Sequence, residues 1–253
     1  MTIEQESLNP IAVSRSARGF LEALAKPESA KTVVMFAVLV GVSLCVAGMS
    51  LYPGGTNLDP TTQGYAFWHN FLCDAVRPLA INGVPNALGH RLMQVGLTVL
   101  TAGFLPIWRA LPLLLSRSSL AGSVIRRAGG AGTALMLPVV YGGHVGPTHN
   151  ILYVAGPLCI IALATTLAEL SLEESKSWLL LGATASLGLT SLVDLYLYAH
   201  MGSLNAMQPV VPAIQKMVLM LAIAWMLIAA AAISKASIKG SRGRVRNHPG
   251  SRG

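Results

Sequence analysis

Apolar residues in this chain come in blocks of about 20, the length that carries one helix across the roughly 30 Å hydrocarbon core of a bilayer. No other feature limits the fold as strongly. Within such a core each segment has to satisfy its own backbone N–H and C=O groups, so the blocks are expected to be helices and the fold all-α, a polytopic membrane bundle. Composition points the same way. Of 253 residues, 53% are hydrophobic and 11% charged, against roughly 25% charged in a soluble globular domain. The net charge of +8 would suit nucleic acid as a partner. The cations, however, cluster just outside the ends of the apolar blocks, where membrane orientation requires them. Membrane lipids are the expected partners, and nucleic acid is not.

Six spans are expected. The first runs from Thr32 to Leu51 and is ended by Tyr52-Pro53-Gly54-Gly55; the second runs from Asn86 to Leu111, after Pro85. Arg109, Arg117, Arg126 and Arg127 read as a basic inner loop, and Gly130 to Gly143, with Pro138 inside, as a short third span. Thr148 or Asn150 can cap a fourth span reaching Leu170. The fifth is Trp178 to His200, on which Gly182, Ser186, Thr190 and Asp194 recur every four residues and mark an expected packing face. The sixth is Pro209 to Ile233. This divides the chain into a polar segment (1–30), a six-helix domain (31–234) and a basic tail (235–253) expected to be disordered. The positive-inside rule places both termini in the cytoplasm. Glu4, Glu6, Glu22 and Glu28 lie among the early cations and no apolar run precedes the first span, so no cleaved signal peptide is expected. Cys45 and Cys159 lie in apolar stretches and Cys73 in a polar one, which implies no disulfide framework.

Titratable residues gather between the first two spans, where Tyr65 to Val76 is expected to form a short interfacial helix. Around it stand His69, Cys73, Asp74, Arg77 and His90. His90 and Gln94, four apart, share a helix face, and His149 opens the fourth span. His69, Asp74, His90 and His149 are therefore expected to converge on an outward-facing pocket lidded by residues 64–77. Asp194 and Lys216 each sit about two turns inside a span, where an unpaired charge costs about 2.5 to 3.5 kcal/mol on insertion scales. They are expected to pair and to join that pocket. Imidazole is the commonest transition-metal side-chain ligand, so His69, His90, His144, His149 and His200 form a set that could hold zinc. Their spacing matches no established metal motif.

Tyr52-Pro53-Gly54-Gly55, Trp68-His69-Asn70-Phe71-Leu72-Cys73-Asp74, Asn82-Gly83, His149-Asn150 and Pro212-Ala213-Ile214-Gln215-Lys216 together resemble a bacterial family of uncharacterised six-span membrane proteins, distantly similar to the Frag/DRAM/Sfk group. The resemblance covers most of residues 32–234. Cys73-Asp74 stands where Ser-Asp is more usual. It implies six spans with both termini inside and supplies no catalytic residues. Three functions follow from these features. The leading one is recognition of a lipid or small ligand in the polar pocket. A metal-dependent hydrolase of lipid amides or esters comes next, and then a small transporter, for which the chain lacks a clear inverted repeat.

Overall fold

The computed structural model describes residues 27–115, 118–142, 150–173, 177–200 and 210–246, and within these every regular element is helical. The order is α1 (Pro27–Ser50), α2 (Leu72–Ala75), α3 (Ala87–Ala102), α4 (Phe104–Ala110) with a 3-10 turn at Leu111–Leu114, α5 (Ser119–Gly142), α6 (Leu152–Leu172), α7 (Trp178–Ala199) and α8 (Val210–Arg246). Five stretches are long and apolar enough to cross a membrane: Ser29–Ser50, Ala87–Leu114, Leu152–Leu172, Trp178–Ala199 and Val210–Ser237. Their outward surfaces suit lipid, with Phe36 64%, Leu39 69% and Leu179 67% exposed. A multi-pass membrane protein fits this architecture.

The third expected span is where sequence and structure part. A single 24-residue helix, α5, replaces the short segment 130–143, and it begins eleven residues earlier, at Ser119. Arg126 and Arg127 are exposed turns of that helix and form no loop. Charge marks where a helix should leave the hydrocarbon, while hydrogen bonding decides where it ends. Two arginines satisfy the first condition without disturbing the second. Likewise α8 continues as helix to Arg246, into residues expected to be disordered tail. The second span is broken at Gly103, because Pro106 has no N–H for the carbonyl of Ala102 and the chain restarts as α4.

The long helices form a ring in chain order. α1 packs on α3, α3 and α4 on α5, α5 on α6, α6 on α7, α7 on α8, and α8 closes against α1. Glycines set the tightest of these seams. Gly41 and Gly48 on α1 meet Gly96 and Gly89 on α3, where an added Cβ would come within about 3 Å of the facing backbone oxygen in each case. Inside the ring, the rings of Phe104, Trp108 and Trp225 lie 5.0 to 6.3 Å apart. Each buried indole needs an acceptor. Trp108 donates to Thr133 Oγ1 on α5 and Trp225 to Thr184 Oγ1 on α7, both at 2.9 Å.

That second bond fixes how α7 is turned. Its buried residues are Leu180, Thr184 and Leu187, whereas Gly182 and Ser186 of the expected small-residue face are exposed and Gly182 has nothing within 4 Å of an added Cβ. The first half of the stripe does not pack, while Thr190 and Asp194 are half-buried. A four-residue repeat names a face without saying what covers it, and the demand of Trp225 for a hydroxyl decides the rotation.

Candidate functional site

Residues 51–86 cross one end of the ring as a lid, and its fold starts from two glycines. Gly54 (φ 137°) and Gly55 (φ 87°) adopt backbone conformations that L side chains rarely reach, and a Cβ on Gly54 would lie 2.3 Å from the carbonyl of Thr62. The turn they make lets Gly55 N–H donate to Thr62 O at 2.7 Å and brings Asn82 against the same turn. The Tyr52 hydroxyl donates to Gly55 O at 3.4 Å and accepts from Ile81 N at 3.1 Å. Only Leu72–Ala75 of the expected interfacial helix is helical; the residues before it are turns held by Asn70.

Asn70 is fully buried and uses every polar atom it has. Its Oδ1 accepts from Ala66 N at 2.9 Å, and its Nδ2 donates to Gly55 O at 2.7 Å and to Asp74 Oδ2 at 3.2 Å. Its backbone carbonyl accepts from Lys216 Nζ, reaching across from α8. Lys216, also fully buried, lies 5.4 Å from the ring centroid of Tyr65 and 5.8 Å from that of Phe67. Its neighbour Gln215 accepts through Oε1 from Leu72 N at 2.8 Å. Two consecutive residues of α8 thus fasten the lid to the ring. Asp74 also accepts from Phe71 N at 2.7 Å. Burial holds its carboxyl above the usual carboxylate range, opposed by those hydrogen bonds and by the charges of Arg77 and Lys216. The Cys73 thiol is pushed up by burial to about 12, so it stays neutral.

Among the long helices lies a partly enclosed cavity of about 180 Å³ whose walls include Phe104, Trp108, Thr133, Cys159, Ser191 and Ala222. Every long helix except α1 contributes to it. A cavity of similar size, about 150 Å³, lined by aliphatic and aromatic side chains stays dry and takes up benzene. This one suits the end of a hydrocarbon chain.

The residues singled out from sequence fall into separate groups. Asp74 and Lys216 enter one knot, joined through Asn70. Lys216 bonds to the carbonyl of Asn70 with the carboxyl of Asp74 nearby, and among the described residues the expected ion pair with Asp194 is not formed. Its counterpart proved to be a backbone carbonyl, and every residue carries one, so sequence could not single it out. His69 is exposed on the lid. His90 is half-buried on α3 with Nδ1 2.7 Å from the carbonyl of Asn86, and the half-buried Gln94 lies one turn further on. His200 is exposed, its ring 4.3 Å from that of Tyr196. His144 and His149 lie outside the described residues. Among the described residues no three His, Cys, Asp or Glu side chains are grouped so as to hold a metal ion.

Sequence reasoning passed over Asn70, Gln215 and Tyr65, although Asn70 and Gln215 lie in the motifs quoted above. Comparison with protein-family models, curated proteins and solved structures found no match to this chain.

Proposed function

We propose that this protein binds a membrane amphiphile, with the hydrocarbon chain in the central cavity and the polar head beneath the lid. The observation carrying this reading is the cavity of about 180 Å³ among membrane-length helices, one of which also fastens residues 70–72 of the lid through Gln215 and Lys216. At that depth the abundant solute of matching shape and polarity is a lipid chain. Asp74, Asp194 and Lys216 form the polar rim in this reading, with His69, His90 and Gln94 at its edges. Filling the cavity tests it. Native mass spectrometry of the detergent-purified protein is expected to show a retained amphiphile, and Ala222→Phe should reduce its occupancy about tenfold, the effect of roughly 1.4 kcal/mol. Equal retention by the filled variant would remove the cavity from the account.

In the same reading α5 is a sixth span. From Arg127 to Gly142 it covers about 24 Å at 1.5 Å per residue, and the two arginines can extend to the headgroups. The chain then crosses a bacterial inner membrane six times, with the lid facing the periplasm. Lys31, Arg109, Arg126 and Lys235 fall at the opposite, cytoplasmic end. This topology agrees with the six-span resemblance. A cysteine placed at Ser241 should resist membrane-impermeant maleimide in intact cells; rapid labelling there would invert the arrangement.

A further inference from the structure

We propose that Asp194, with the rings of Tyr153 and Tyr198, recognises the ammonium head of a single-chain amphiphile whose tail enters the central cavity. The inference rests on the amphiphile-binding reading and adds the chemical class of the head. Three observations carry it. First, Leu187, Ser191, Asp194 and Tyr198 follow one another at steps of four, three and four, so they share a face of α7, and Leu187 and Ser191 line the cavity. Asp194 stands about 4.5 Å nearer the lid than Ser191, at 1.5 Å per residue. The cavity therefore has a carboxyl above it on the same face.

Second, Asp194 is half-buried within a membrane-length helix and makes no hydrogen bond or ion pair with any described residue. The basic residue at comparable depth, Lys216, is committed to Asn70 and acts on Asp74. A carboxylate at this depth without a countercharge among the described residues favours a cation able to reach it. Third, aromatic faces stand beside it. The ring of Tyr198, one turn along α7, lies 6.0 Å from that of Tyr153 on α6, and Tyr198 is within electrostatic reach of Asp194 and Cys73. Aromatic faces beside a carboxylate are the recurrent means of holding alkylammonium groups, which need no directed hydrogen bond. The neutral Cys73 thiol adds no competing anion at the lid side. A single-chain ligand matches a cavity too small for two chains.

Radiolabelled hexadecyltrimethylammonium and hexadecanol provide the test, since they share a tail and differ in the head. Binding to the full-length protein is measured in neutral double-chain maltoside micelles, subtracting protein-free micelles. The wild type should retain the ammonium probe at least about tenfold better than the alcohol, a difference of roughly 1.4 kcal/mol. Asp194→Asn should erase that preference while leaving alcohol binding, and Asp194→Glu should keep it. Ala222→Phe should lose both probes. A wild type that retains the two probes equally overturns the ammonium site and leaves the cavity in place, and this comparison needs no variant to fold. An Asp194→Asn protein that keeps the preference overturns it also. A wild type that retains neither probe ends the amphiphile reading, and the head-group assignment falls with it.

Discussion

Lys216→Met is expected to lower the unfolding temperature in detergent by about 10 °C and to loosen the lid. The substitution removes the donor to Asn70 O, the cation between the faces of Tyr65 and Phe67, and the nearest positive charge on α8 to the buried Asp74. Breaking a buried charge arrangement from one side costs about 3 to 5 kcal/mol, mainly because the remaining charge is stranded. In a chain of this length each kilocalorie corresponds to roughly 2 to 4 °C. The loss should shrink when Asp74→Asn is added, since no carboxylate is then left without its partner. Additive losses would mean that Lys216 and Asp74 stabilise the lid independently. Hydrogen exchange gives a local readout: the amides of Phe71 and Leu72, which donate to Asp74 and Gln215, should lose protection in the single variant before those of the long helices do.

Gly96→Leu is expected to be comparably damaging at the other tight contact of the ring. A Cβ at position 96 would stand 2.8 Å from Cys45 Sγ and 2.9 Å from both the amide nitrogen of Cys45 and the carbonyl of Gly41. Two of those three atoms are backbone and cannot rotate away. α1 and α3 would have to separate, and in lipid no hydrophobic driving force holds helices together once close packing is lost. Overpacking of this kind typically costs 1 to 3 kcal/mol, and more where backbone must move. Gly130→Leu is the control, because an added Cβ there meets nothing within 4 Å. It should unfold within about 2 °C of the parent, which corresponds to less than about 1 kcal/mol. Equal behaviour of the two variants would mean that the close approach of α1 and α3 is not what holds them.

The helices were legible because their cause is local. An apolar run without water leaves the backbone only itself to bond to, and Thr32 to Leu51 announces α1 for that reason. The polar centre was legible in part, since Cys73 and Asp74 interrupt an apolar chain, although Asn70, which ties them to Lys216, was passed over. What sequence left open were choices between partners. Lys216 and Asp194 looked paired because they were the obvious opposite charges at like depth, yet Lys216 bonds to a backbone carbonyl 146 positions away. The face of α7 was misread because the small residues at 182 and 186 suggested packing, while the indole of Trp225 selected Thr184. The start of α5 is not legible because Arg126 and Arg127 read in sequence as the end of the apolar segment, whereas the helix runs through them. The first two of these turn on a tertiary partner, which periodicity does not contain.

The most direct test of the cavity as a lipid-chain site is photo-crosslinking with a fatty chain that carries a diazirine at its terminal carbons, followed by peptide mapping of the adducts. With the tail inside the ring, adducts should concentrate on Met136, Cys159 and Val218, which line the cavity on three different helices, and Ala222→Phe should abolish them. Adducts confined to outward-facing residues such as Phe36, Leu39 and Leu179, unchanged in the filled variant, would contradict the account.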